Sequence, residues 1–540
     1  MQRLSYDPKH PRYTIFDVEF SIEIFTYENV YGLDPDRSEL KVEGDKAILT
    51  ARGLTWAGGV EKCDGGAMLL VEKLDSDSPR LRFKVEAAFK DKLRAVKVII
   101  YGLKGEDVTS DHSEKLPFPW GGLTFDYPRW DYEYKLKMPI VFLRDGNTYT
   151  YFAAKDEAVS PKRFSFIPKE DGTGAVDVEL IYEATANEAS EMIDTAPWEM
   201  GTTKDTSAEA SKFLDWIAVT YGFSTYETRG DVPAWFRDVS LVLSIHGMHF
   251  TGYIFNTYKE MLNVIKWFAK RMEGKRLLAY LPGWEGRYYW QYGDYRPEPR
   301  LGGVEDFKRL VEGVRELGVR LMPMFGANCT NREHPDFPDY GPISLLHDAS
   351  GTQFLGNRPD WSTDRSYDPG WQIWLNPAAP AWQEKLIESL TSIIDGYGID
   401  AIFLDTHDTW TNDPYYQVYE GWKVIKAELK SNRPELLVAG ELWYDALLGI
   451  TPLTQWGGPA HWPGIFEKYA RSTPHLCYPS PCRGSTGVHE FGYGPFAMPT
   501  LTKEQIPMVT IVDGTVAAAP DRLMEYVKLA EDYAEGFLDK

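Results

Sequence analysis

The chain changes rhythm once, and that change restricts its fold more than any other feature. Through about residue 185 short runs of alternating apolar and polar residues follow one another, as in residues 13–25 (YTIFDVEFSIEIF), 47–56, 67–74, 81–89, 95–101, 138–142, 148–153 and 176–182. A period of two turns every second side chain to one face. The pairs Gly44-Asp45 and Asp145-Gly146 supply turns between runs, so this half reads as the antiparallel strands of a β-sandwich. From Val232 onward solid apolar strands are followed by amphipathic helical stretches: 239–246 before 257–272, 276–281 before 304–317, 319–325 before 381–397, and 401–405 before 416–430. Two more strands, 436–441 and 507–513, continue the series, the second before a helical stretch at 522–537. Strands that are apolar throughout are buried on both faces, as parallel strands between helices must be.

About 300 residues of this alternation, with no Gly-x-Gly-x-x-Gly turn after any strand, fit a (β/α)8 barrel better than an open sheet. The expected organisation is a β-sandwich over residues 1–185, a helical linker over 186–231 and a barrel over 232–540. Six units are plain. The remaining strands must fall between residues 446 and 505, with 474–478 the best candidate.

Charge narrows the partners. Acidic residues outnumber basic ones 80 to 58, a net charge of −22 that repels phosphate backbones and anionic lipids, so neither nucleic acid nor a membrane surface is expected as a partner. No 18 apolar residues run together as a membrane helix requires, and residues 1–13 are polar, without the apolar core of a secretory signal. A cytoplasmic location is the expectation. Four cysteines are too few for a disulfide scaffold and form no C-x-x-C pair; Cys477 and Cys482 are expected as free thiols. The 18 Trp, 32 Tyr and 26 Phe suit either a large aromatic core or surfaces that meet sugars.

A barrel presents its chemistry at the carboxyl ends of its strands. Those ends are His246, the turn Gly283-Trp284-Glu285, residues 326–331 with Asn328, Asp405 with His407 and Asp408, Glu441 with Trp443, and Asp513. Two strands stop abruptly at acids: IDAIFLD at Asp405, and LLVAGE at Glu441, 36 positions later. On adjacent parallel strands, about 4.8 Å apart, acids at one level face a common mouth. Glycosidic cleavage uses such a pair, one carboxylate at the anomeric carbon and one carboxylic acid at the leaving oxygen. The plainer reading is a polar rim or a set of helix caps. Trp410 and Trp443 follow the two acids closely, and apolar walls raise the pKa of a general acid.

Other residues carry two readings each. The run 280–292 packs six aromatics into thirteen residues and includes Trp284, Glu285 and Arg287; it is either a stacking platform for sugar rings or the buried hinge of a long loop. Asp513 either hydrogen-bonds substrate hydroxyls or forms a turn before Gly514. The loop 477–490 offers Arg483 and His489 as substrate contacts, or is a rigid structural loop, and its Ser485 lacks a Gly-x-Ser-x-Gly setting. His246, His407 and Asp405 admit a metal-dependent hydrolase. Against it, His246 and His249 lie three apart at a strand end, where they do not share a face.

At Asp405 and Glu441 the chain resembles the retaining α-glycosidase barrels, a group that includes the α-amylases, the α-galactosidases and the endo-α-N-acetylgalactosaminidases. That group places an Asp nucleophile after the fourth strand, and its amylase and N-acetylgalactosaminidase branches place a Glu acid/base after the fifth. Asp405 and Glu441 fall on the fourth and fifth units here. The run 280–292, with Met322-Pro323-Met324-Phe325-Gly326-Ala327-Asn328, also resembles uncharacterised barrel proteins related to that group, which carry an N-terminal β-sandwich. The resemblance covers residues 235–515. It departs at Phe403, where the α-amylases have Arg, and at Phe403 and Leu404, which do not supply the Lys of the α-galactosidases. The endo-acting N-acetylgalactosaminidase pattern is the nearest, and it fixes no sugar.

The resemblance implies a glycoside hydrolase that retains configuration on an α-linked glycan, with Asp405 as nucleophile and Glu441 as acid, then base. An oligosaccharide or polysaccharide is the expected partner and no cofactor is required. Substrate contacts are expected from His246, Trp284, Glu285, Arg287, Asn328, His407, Asp408, Trp443, Arg483, His489 and Asp513. The rival readings are a β-specific or inverting hydrolase or a transglycosylase, a metal-dependent hydrolase, and a non-catalytic glycan-binding barrel. Sugar, linkage, endo or exo action and oligomeric state are not legible.

Overall fold

Alternation in the first half builds two antiparallel sheets. The computed structural model describes residues 11–75, 80–111, 113–119, 121–128, 136–287, 289–354, 372–441, 444–456, 462, 464–474 and 505–538. One sheet has nine strands, with Val18–Thr26 and Leu93–Lys104 paired near its centre. The other has ten, and Leu81–Ala88 lies inside it between Gly66–Lys73 and Trp198–Thr203. Along Leu81–Ala88 the residues Leu81, Phe83, Val85 and Ala87 are buried while Arg82, Lys84 and Glu86 between them are not, as a half-buried strand requires. Phe20 of the first sheet meets Phe83 of the second edge to face at 5.5 Å, so the two apolar faces form one sandwich core.

The second sheet runs past residue 185, because Met192–Asp194 and Trp198–Thr203 both pair with Leu81–Ala88. The linker's helix follows at Thr206–Thr220, where Asp205 accepts the Ala208 N–H as N-cap.

The second half closes into a parallel eight-stranded barrel. We number its strands β1 (Leu241–Ile245), β2 (Leu277–Leu281), β3 (Arg320–Gly326), β4 (Ala401–Asp405), β5 (Leu437–Glu441), β6 (Leu453–Trp456), β7 (Arg471–Pro474) and β8 (Met508–Ile511). Each pairs with the next in parallel through β7, and β8 pairs with β1. The ring is completed where Ile506, just before β8, donates its N–H to Ser472 O of β7 at 2.9 Å. Inside, the Tyr280 ring packs on Phe403 at 4.8 Å and its hydroxyl meets Met324 Sδ at 3.0 Å, so β2, β3 and β4 fill the barrel with large side chains.

Full helices follow β1 to β4 at Tyr258–Ala269, Gly303–Glu316, Pro380–Tyr397 and Val418–Ser431, and Pro520–Tyr533 follows β8. Among the described residues between β5 and β6 there is only the 3-10 turn Asp445–Gly449, and the linker helix Thr206–Thr220 packs against it. The two strands hidden from sequence are β6 and β7. Each has four residues, and Thr454, Gln455, Ser472 and Thr473 are buried polar residues within them, so no apolar run marks either. Of the candidate stretch 474–478 only Pro474, the end of β7, lies within the described residues. No helix among the described residues is long and apolar enough to cross a membrane.

Candidate active site

β4 and β5 run side by side with Leu404 opposite Gly440, so Asp405 and Glu441 emerge at one level at the carboxyl end of the barrel. Phe403 lines the interior against Tyr280, and Asp405, two residues on, shares that face. Asp400 sits at the other end of β4, where it accepts from Arg320 Nη1 at 2.7 Å. Both strand-end acids are partly accessible while the strand residues before them are buried.

Each acid is held by specific donors. The Tyr292 hydroxyl donates to Asp405 Oδ2 at 2.5 Å. Tyr292 reaches it by lying over Gly326, the β3 residue paired with Asp405; a Cβ on Gly326 would stand 1.9 Å from the tyrosine ring. Thr406 has φ 64°, a left-handed conformation rare and strained for a β-branched residue. That turn aims the Thr406 N–H at Glu441 Oε2, 3.0 Å away. The carboxylate of Glu441 is therefore hydrogen-bonded to the residue that directly follows Asp405.

His407 is turned into the packing beside Trp422. It is fully buried, its ring lies edge-on to Trp422 at 5.6 Å, and its Nδ1 accepts the Glu441 N–H at 3.2 Å. Burial pushes its pKa down to about 4, against the opposing pulls of the Glu441 charge and of a backbone hydrogen bond to Leu404, so the ring is neutral. A Cβ on Gly440 would be 2.4 Å from this ring, so glycine there lets His407 pack against β5. The imidazole thus orients the strand end that bears Glu441.

Three rings of the aromatic run after β2, Tyr280, Trp284 and Tyr292, are buried, while Tyr289 and Trp290 are partly exposed. Trp284, one of the expected sugar contacts, is 0% exposed, stacks on Phe307 at 5.1 Å and donates Nε1–H to Met324 O, so it packs in the core. Tyr280 and Tyr292 are buried with it. Arg287 donates to Phe250 O at 2.5 Å and lies over the Trp290 ring. Glu285 is also buried, neither of its oxygens has a hydrogen-bond partner among the described residues, and burial together with the nearby charges of Asp405 and Glu298 pushes its pKa up to about 8. A neutral carboxyl behind Asp405 does not repel it.

Asn328 is buried as well. Its side chain donates to Thr409 O at 2.9 Å and its N–H to Thr406 Oγ1 at 3.4 Å, tying the loop after β3 to the loop after β4. Asp408 and His246 are buried, the latter with its ring perpendicular to Phe255 at 6.0 Å. His246, His407 and Asp405 do not assemble as a metal ligand set among the described residues. Trp410 is buried and lines a cavity of about 150 Å3 between sandwich and barrel that neither strand-end acid borders. Asp513 is exposed and accepts the Tyr253 hydroxyl at 2.6 Å. Trp443, Arg483, His489, Cys477 and Cys482 lie outside the described residues.

Sequence reasoning missed Tyr292 as a partner of Asp405, the left-handed Thr406, and two exposed rings, Tyr253 at 43% and Tyr415 at 59%, the latter set against His347. Tyr292 lay inside the aromatic run, but nothing in a run of rings says which one turns inward.

Fold and site together define a (β/α)8 barrel with an N-terminal β-sandwich and two carboxylates on neighbouring strand ends. No family model matches the chain. Among solved structures it is similar to an alpha-N-acetylgalactosaminidase from Bifidobacterium bifidum, with a TM-score of 0.64 and 12% identity over 98% of this chain and 94% of that one. It is also similar to a GH36 alpha-galactosidase from Geobacillus stearothermophilus, with a TM-score of 0.53 and 13% identity over 96% of this chain and 75% of that one. These likenesses establish the shared fold. By sequence the chain is 25% identical over 265 residues to a trehalose synthase from Pimelobacter sp. (strain R48). That match takes in 43% of this chain and 45% of the synthase, less than half of either.

Proposed function

We propose that this protein is a glycoside hydrolase that cleaves an α-linked glycan with retention of configuration. The observation that carries the proposal is the hydrogen bond between Glu441 Oε2 and the N–H of Thr406, which sets one carboxylate beside the residue following the other. Asp405 attacks the anomeric carbon while Glu441 donates a proton to the departing oxygen. Glu441 then takes a proton from water, which displaces Asp405 from the glycosyl intermediate. Retention needs carboxyl groups about 5–5.5 Å apart, and neighbouring strands spaced about 4.8 Å suit that better than the wider gap of an inverting pair.

Tyr292 orients the Asp405 carboxylate by donating to its Oδ2. Tyr253 and Tyr415 offer exposed ring faces for sugar stacking. The substrate is an oligosaccharide or polysaccharide: the similar structures include alpha-galactosidase complexes with raffinose and stachyose and an alpha-N-acetylgalactosaminidase complex with GalNAc. The catalytic unit is the barrel, within residues 232–540. A panel of aryl α- and β-glycosides, assayed with the wild type, Asp405→Ala and Glu441→Gln, tests this reading. Turnover of an α-glycoside is expected to drop about 10²–10⁴-fold in Glu441→Gln and further in Asp405→Ala. Near-wild-type turnover in either variant would remove the assignment.

A further inference from the structure

The loops that follow β4 and β5 do not rest on the barrel alone. Asn412, seven residues after Asp405, is buried and directs its whole side chain at the sandwich. Its Nδ2 donates to Glu183 Oε1 at 3.0 Å and to Ala184 O at 2.9 Å, and its Oδ1 accepts the Ala186 N–H at 2.7 Å. Asp445, four residues after Glu441, is fully buried. Its Oδ1 accepts the Tyr127 hydroxyl at 2.7 Å, and its N–H donates to Lys137 O at 2.8 Å. Tyr127 ends the sandwich strand Leu123–Tyr127, and Glu183 ends Ala175–Glu183, which lies two strands away in the same sheet.

Simple burial of an apolar flank would need none of this. Five hydrogen bonds from one sheet and its neighbouring segments converge on two buried polar residues, one in each acid-bearing loop. Buried polar groups fix geometry because misalignment leaves them unpaired. The absence of a full helix among the described residues between β5 and β6 leaves the Asp445 turn to be supported from outside the barrel, and the sandwich and linker helix fill that place.

We propose that the β-sandwich is a working part of the active site: through Asn412 and Asp445 it clamps the two loops and sets the positions of Asp405 and Glu441. Tyr127, Asn412 and Asp445, all buried, would act through the loops as positioning residues. The inference rests on the glycosidase reading above, and the two fail in different ways.

The test uses the full chain carrying Tyr127→Phe or Asn412→Ala, with Phe83→Leu as a control that loosens the sandwich core away from both loops. The first readout is hydrogen exchange in the loops 406–413 and 444–449, which needs no substrate. Faster exchange is expected in 444–449 for Tyr127→Phe and in 406–413 for Asn412→Ala, and in neither for the control. The second is kcat and KM on aryl glycosides with good and poor leaving groups. Misplacing a general acid hurts poor leaving groups most, so Tyr127→Phe is expected to lower kcat about 10- to 100-fold on those, with KM little changed and dinitrophenyl glycosides much less affected. Asn412→Ala is expected to lower kcat on both. Loop exchange no faster than in Phe83→Leu, or kcat on an active wild type untouched in both variants, would overturn the clamp. A wild type that cleaves no glycoside would overturn the hydrolase reading and leave the exchange result to decide the clamp.

Discussion

Tyr292 and Glu285 flank the proposed nucleophile with opposite duties, and each can be tested alone. Tyr292 donates to Asp405 Oδ2, a bond to a charged group worth about 1.5–3 kcal/mol. Tyr292→Phe is therefore expected to lower kcat about 10- to 100-fold while the far-ultraviolet circular dichroism stays the same. An unchanged kcat would show that the bond does not serve the reaction. Glu285 is a buried carboxyl whose pKa rises from 4.5 to about 8. Between those values the unfolded chain has released a proton that the folded chain still holds, so the contribution to stability is full below about 4.5 and is lost as pH rises through about 8. Glu285→Gln has no proton to lose. Its melting temperature should gain on the wild type steadily across that window, and a gap independent of pH would refute the assignment of a neutral Glu285. Asp405 and Glu441 were legible at this scale because apolar strands stop at them. The burial of Trp284, Glu285, Asn328 and His407 was not, since a strand-end residue reads the same whether its side chain turns toward the mouth or into the packing around it.

The elements around the site depend on two glycines where another strand or ring comes too close for a Cβ. Gly326 makes room for Tyr292 and Gly440 for His407. Gly326→Ala must push aside the Tyr292 ring, and overpacking of this kind costs about 1–3 kcal/mol, so a lowered melting temperature and a kcat loss like that of Tyr292→Phe are expected together. A variant as stable and active as the wild type would mean that Tyr292 is not held over Gly326. Strands with solid apolar runs, β1 to β5 and β8, were legible from periodicity alone. β6 and β7 were not: with Thr454, Gln455, Ser472 and Thr473 in eight strand residues, only their barrel neighbours make them strands. The short turn at Asp445–Gly449 was equally hidden, because the support it receives comes from residues far away in sequence.

Over the whole molecule, the change from period two to strand–helix alternation announced a sandwich followed by a barrel, and the order of strands in the barrel placed the two acids side by side. What the sequence concealed is the traffic between the halves, from Tyr127 to Asp445 and from Glu183 to Asn412, separations of 318 and 229 residues that no local pattern reports. The central claim is that one carboxylate of this pair forms a covalent bond to sugar. It is tested most directly by incubating the protein with a fluorinated α-glycoside that forms the glycosyl adduct and releases it slowly, followed by peptide mass spectrometry. The expected result is one sugar attached to the peptide that contains Asp405, absent in Asp405→Ala. A label on another carboxylate, or turnover with inverted product and no label, would contradict the account.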